Sequence, residues 1–175
     1  MTDGFLVVFA GVSALAIRLA MAAILLAAAL HAMRNWAAFS AIVQAYRLGP
    51  DGAGRLAGRL VPPLEMLAAF LLILPATQMA AQVLALFLMA VFTAAIGINL
   101  ARGRTDIECG CGGESQTISG ALIIRNGVLT ACLAGTLSVR SAWFADASSL
   151  VATVGLAAFL TGLYFAANQL LINAG

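Results

Sequence analysis

The chain has no lysine: all nine of its basic residues are arginine, set against seven acidic residues and a single histidine. Charged residues make up only 9% of the 175 positions, where a soluble domain carries about 25%. That scarcity excludes a water-covered surface. A net charge of +2, with no basic run interleaved with aromatics, excludes a nucleic-acid-binding face. No hydrophilic stretch is long enough for a separate domain. Met1 to Gly4 lacks the basic residues of a signal peptide, and the apolar run from Phe5 to Leu30 exceeds a signal-peptide core; it is expected to be a retained transmembrane helix.

Of the whole chain 63% is hydrophobic, and a transmembrane helix needs about 20 apolar residues. That length divides the chain into spans near 5–31, 60–76, 79–101, 118–139 and 148–172. Residues 33–49 differ in kind. Trp36, Phe39, Val43 and Tyr46 recur at helical spacing, with Arg34, Ser40, Gln44 and Arg47 between them; this predicts an amphipathic helix lying at the membrane surface. Pro62 and Pro63 are placed in the first turn of the second span, where a missing N–H costs little. The expectation is one all-α integral membrane domain over 1–175. It is a bundle of about five transmembrane helices, a four-helix core plus one, with the interfacial helix covering the cysteine loop at 102–116. Counting crossings puts that helix, the cysteine loop and the C-terminus on one side of the membrane.

The chemistry concentrates in Ile107-Glu108-Cys109-Gly110-Cys111-Gly112-Gly113. Two thiols separated by one glycine can meet, because glycine admits backbone angles that other residues resist. A disulfide across so small a ring is strained and easily exchanged. Arg102, Arg104 and the start of the following helix favour thiolate, while Asp106 and Glu108 oppose it. Two other readings stand beside a redox pair: free structural thiols in a tight turn, or a metal site drawing on His31 and Glu108. Redox chemistry leads, and no metal is expected. Cys132 lies too far along the fourth span to join the pair and is read as a packing residue. Within the spans, Glu65 and Arg125 enter from the same side at similar depth, which makes an ion pair between them plausible, and Asn126 and Asn99 extend a polar cluster. Arg18 has no evident partner.

Five stretches, in order, resemble the MauE family within the wider DoxX-like group of redox-associated membrane proteins: Trp36-Ala37-Ala38-Phe39 through Ala45-Tyr46-Arg47-Leu48; Val61-Pro62-Pro63-Leu64-Glu65; Asn99-Leu100-Ala101-Arg102-Gly103-Arg104; Ile107 to Gly113; and Ile118-Ser119 through Arg125-Asn126. The cysteine block is the most specific of them. The resemblance implies a bacterial inner-membrane, multi-pass protein that matures methylamine dehydrogenase, whose small subunit carries many disulfides. It also implies a thioredoxin-like partner such as MauD, with Cys109 and Cys111 as the exchanged pair and Arg102, Arg104 and Glu108 tuning it or contacting the partner. Quinone-linked disulfide generators such as DsbB and vitamin K epoxide reductase use two cysteine pairs. Here there is one, so a relay runs directly to a cofactor, a quinone being one candidate that the sequence does not itself show, or to the partner's thiols. The alternative is a non-catalytic scaffold or export factor for the small subunit; a transporter fits less well, since no internal repeat is present. Six arginines on the cysteine side against Arg140 opposite argue for a cytoplasmic loop, whereas disulfide chemistry argues for the periplasm. The periplasmic side is taken as the expectation.

Overall fold

A computed structural model describes residues 2–110, 116–139 and 146–173. It is all-helical: α1 (Thr2–Arg34), α2 (Trp36–Ala45), α3 (Asp51–Ile73), α4 (Gln78–Ala101), α5 (Gly120–Gly135) and α6 (Ala147–Asn173), with a 3-10 turn at Pro75–Thr77 between α3 and α4. Four of the helices, α1, α3, α4 and α6, are long and apolar enough to cross a membrane. The protein is a multi-pass helical membrane bundle.

α1 is the central post, packing mainly on α3 and α6, while α4 joins α3 to α5. The core between them is built from small residues. Ala22 of α1, Ala68 and Ala69 of α3, and Ala81 and Ala85 of α4 are all buried around Met21, Leu25, Leu72, Leu88 and Leu133. In lipid there is no hydrophobic drive between helices, so close approach of backbones over alanine supplies the packing. α6 is the peripheral member; only Thr153, Ala157 and Asn168 are buried along it.

α3 starts well before the apolar stretch, so Pro62 and Pro63 lie in its interior and not in its first turn. Each removes a backbone donor, so the carbonyls of Gly58 and Arg59 lose their helical partners. The polar-looking start has a packing role. A Cβ on Gly54 would stand 3.1 Å from Gln44, and one on Gly58 3.1 Å from Ser40. Those two glycines are the groove in which α2 lies.

Arg18, 1% exposed, ties down the end of the bundle away from the cysteine loop. Its guanidinium donates to the carbonyls of Thr136 (2.6 Å) and Val139 (2.7 Å) and to Gln78 Oε1 (3.0 Å). Gln82 reinforces the knot by donating to the Thr136 hydroxyl at 2.6 Å. Backbone carbonyls at the end of α5 and an amide at the start of α4 are thus its partners, which no charge count reveals. Cys132 is free and exposed on α5, not packed as the sequence led us to expect.

Candidate functional site

The cysteine loop is a short hairpin folded back onto the bundle. Glu108 and Thr117 form an isolated antiparallel bridge; the Cys109 N–H donates to the Gln116 carbonyl at 2.7 Å, and the Ile118 N–H donates to the Ile107 carbonyl at 2.9 Å. Ile107, Cys109 and Ile118 are buried with Tyr46, Ile96 and Leu122. Non-helical backbone survives near a membrane only when its polar groups are satisfied inside protein, and these bonds do that. Cys109 is disulfide-bonded and only 9% exposed. Cys111 lies outside the described residues.

Gly110 is required by this geometry. Its φ is +72°, and a Cβ there would stand 3.2 Å from Ile42 and 3.6 Å from the Phe39 ring. α2 therefore sits directly on the loop. Tyr46, at the end of α2, donates its hydroxyl to the Cys109 carbonyl at 3.2 Å. Burial pushes the Tyr46 phenol up to about 12.

Arg102 and Arg104 turn toward α2. Arg104 donates to the carbonyls of Ala45 (2.8 Å) and Tyr46 (3.4 Å) and to Asn99 Oδ1 (3.0 Å); Arg102 donates to the Arg47 carbonyl at 3.1 Å. Orphan carbonyls at a helix C-terminus are natural acceptors for arginine. The clamp also holds Arg47 in the left-handed region, at φ +47°. Asn99, fully buried, serves Arg104 and so stands apart from the polar cluster in which the sequence grouped it.

Beneath the loop lies a cavity of about 140 Å³, walled by Cys109 and Gly110, by Phe39 and Tyr46 of α2, and by apolar side chains of α1, α3 and α4. Glu65, Arg125, Asn126 and Tyr164 also line it. The cavity thus joins the cysteine loop to three of the four intramembrane polar residues anticipated above. Arg125 does not pair with Glu65. It donates to Asn126 Oδ1 (3.3 Å from Nε, 3.2 Å from NH2) and to Asn168 Oδ1, and its Cζ stands 5.5 Å from the centroid of the Tyr164 ring. Glu65, 4% exposed, makes no hydrogen bond or ion pair among the described residues. Sequence reasoning missed Tyr164 and Asn168; their spacing of one helical turn in an apolar span was the available signal. Among the described residues no three His, Cys, Asp or Glu side chains converge as a metal site would require.

The family model for methylamine utilisation protein MauE matches residues 10–140, well over half of the chain and inclusive of the loop, the clamp and the cavity. The chain belongs to the MauE family. It is similar to the methylamine utilization protein MauE of Paracoccus versutus, 38% identical over 158 residues, covering 89% of this chain and 85% of that protein. The Paracoccus denitrificans protein is 40% identical over 118 residues, covering 66% of this chain. There the match spans 63% of the relative's own length, slightly under two thirds. The Methylorubrum extorquens protein is 38% identical over 105 residues, 59% of this chain and 56% of that protein. No solved structure matches. For this MauE-family chain, involvement in methylamine utilisation at a membrane follows from membership.

Proposed function

We propose that this chain is a membrane thiol–disulfide protein that matures methylamine dehydrogenase by exchanging electrons with a thioredoxin-like partner of the MauD kind. The observation that carries the reading is Cys109. It is disulfide-bonded in a loop that α2 covers, at the wall of a cavity that also holds Glu65 and Arg125. In the exchange, a partner thiolate attacks the Cys109–Cys111 disulfide and forms a mixed disulfide. The partner's second thiolate then resolves it, so the partner leaves oxidised and this chain is left with two thiols. Because Cys109 is covered, Cys111 is the sulfur attacked and Cys109 the leaving group. The partner passes its disulfide to the dehydrogenase small subunit. The loop faces the periplasm from the inner membrane.

The test is trapping. With a partner lacking its resolving cysteine, the disulfide-bearing chain should accumulate a mixed disulfide through Cys111, with Cys109 released as the thiolate. Either Cys109→Ser or Cys111→Ser should abolish both the trapped species and maturation while membrane insertion persists. Normal maturation in both variants ends this reading. The burial of Cys109 favours one competitor, a scaffold or export factor for the small subunit in which the disulfide is a staple. A partner complex indifferent to both substitutions selects it. Labelling of the reduced pair by a membrane-impermeant thiol reagent in intact cells decides the side.

A further inference from the structure

We propose that the cavity beneath the cysteine loop binds the ring of a lipid-soluble quinone, which accepts the two electrons released when Cys109 and Cys111 re-form their bond. This rests on the exchange reading above and supplies what that reading leaves open, the fate of the electrons. Three observations meet there.

The first is size. The cavity is about 140 Å³, and an apolar protein cavity of about 150 Å³ takes one benzene ring. The second is access. Val91, 41% exposed on the outer face of α4, is part of the wall. It lies ten positions before the end of α4 at Ala101, about 15 Å along the axis at ~1.5 Å per residue. That exposed part of the wall faces hydrocarbon, so the proposed ligand enters from the bilayer and its tail remains there.

The third is the polar complement. Glu65 is buried against the cavity, without a hydrogen-bond partner among the described residues. Its carboxyl oxygens are not among the fully enclosed unpaired atoms, so they reach the cavity, where a polar group of a ligand can meet them. Asn126 spends its amide oxygen on Arg125, and its NH2 makes no hydrogen bond among the described residues. A planar apolar ring bearing carbonyl oxygens answers this set. One carbonyl accepts from Asn126 and Arg125, and Glu65 carries a proton to or from an oxygen. The step balances: two thiols lose two electrons and two protons to form one S–S bond, and the quinone gains both pairs to become the quinol. An acyl chain fills the volume but meets none of the polar groups.

The test uses the full chain in nanodiscs with a short-chain ubiquinone. Saturable binding is expected, weakened at least tenfold by Ala95→Phe, which fills the cavity from α4. Glu65→Gln, which removes the proton carrier, should slow anaerobic quinol formation by the reduced chain. Absence of saturable binding, or binding indifferent to Ala95→Phe, overturns the site. Intact mixed-disulfide trapping beside absent quinone binding removes this inference alone. Quinone binding without oxidation of the two thiols overturns the acceptor role.

Discussion

The Tyr46 hydroxyl reaches across 63 positions of sequence to the carbonyl of Cys109, at 3.2 Å. One bond thus joins the end of the surface helix to the residue whose sulfur carries the proposed chemistry. Since α2 has no buried residue of its own, the contacts at its C-terminal end matter disproportionately.

The first expectation concerns that bond. Burial holds the Tyr46 phenol at about 12, above its ordinary 10.0, so the folded state favours the protonated donor. Its stabilisation is complete below pH 10 and disappears as pH rises from about 10 to about 12. Alkylation of reduced Cys109 should therefore accelerate across that window. Tyr46→Phe should raise the rate at neutral pH and flatten the alkaline rise, at a stability cost of about 1 kcal/mol.

Arg104→Ala removes two donors from the end of α2 and one from Asn99. Hydrogen bonds from charged groups contribute about 1.5–3 kcal/mol each when buried, and the exposed Ala45 contact contributes less. Faster trypsin cleavage after Arg47 in proteoliposomes is the expected readout, with Arg102→Ala milder. Unchanged cleavage in both variants would show that the clamp does not hold α2.

Gly58→Leu tests the seat of α2 from below. The added side chain meets the Ser40 backbone, with Cβ already at 3.1 Å, so something must shift. Overpacking of this kind costs about 1–3 kcal/mol. Labelling of Cys109 after reduction should rise several-fold, while Gly52→Ala, at a position open to space, leaves it unchanged.

Arg18→Met should lower thermal stability by about 2 kcal/mol or more, since the Thr136 and Val139 carbonyls lose a charged donor. The exchange chemistry at the other end of the bundle should persist. A thermal melt in detergent paired with mixed-disulfide formation separates the two effects.

Composition and hydropathy were enough to read the helical membrane class, because lipid leaves a chain few structural options. The cysteine loop and its covering helix were legible from glycine between thiols and from 3.6-residue periodicity. What escaped were partnerships set by three-dimensional packing. Gly54 and Gly58 look like a linker until Gln44 and Ser40 are laid on them. Asn99, near the end of the third span, reads from sequence as part of the cluster with Glu65, Arg125 and Asn126, but the turn after α4 brings Arg104 back onto it. The fourth apolar run extends past Gly135, yet the helix stops there; Arg18 takes the carbonyls of Thr136 and Val139, and that suits a turn better than a further helical bond.

The brevity of α5 bears on where the sulfur sits. Sixteen residues make about 24 Å of helix, against a hydrocarbon thickness of about 30 Å. α5 is thus shorter than the four helices long enough to cross, and Cys109 packs beside Ile96, five positions inside the end of α4. Under the proposed exchange, a Cys109 held so near the end of α4 meets a water-borne partner only if the lipids around it leave the loop uncovered. Thicker bilayers should then slow the proposed exchange and thinner ones speed it.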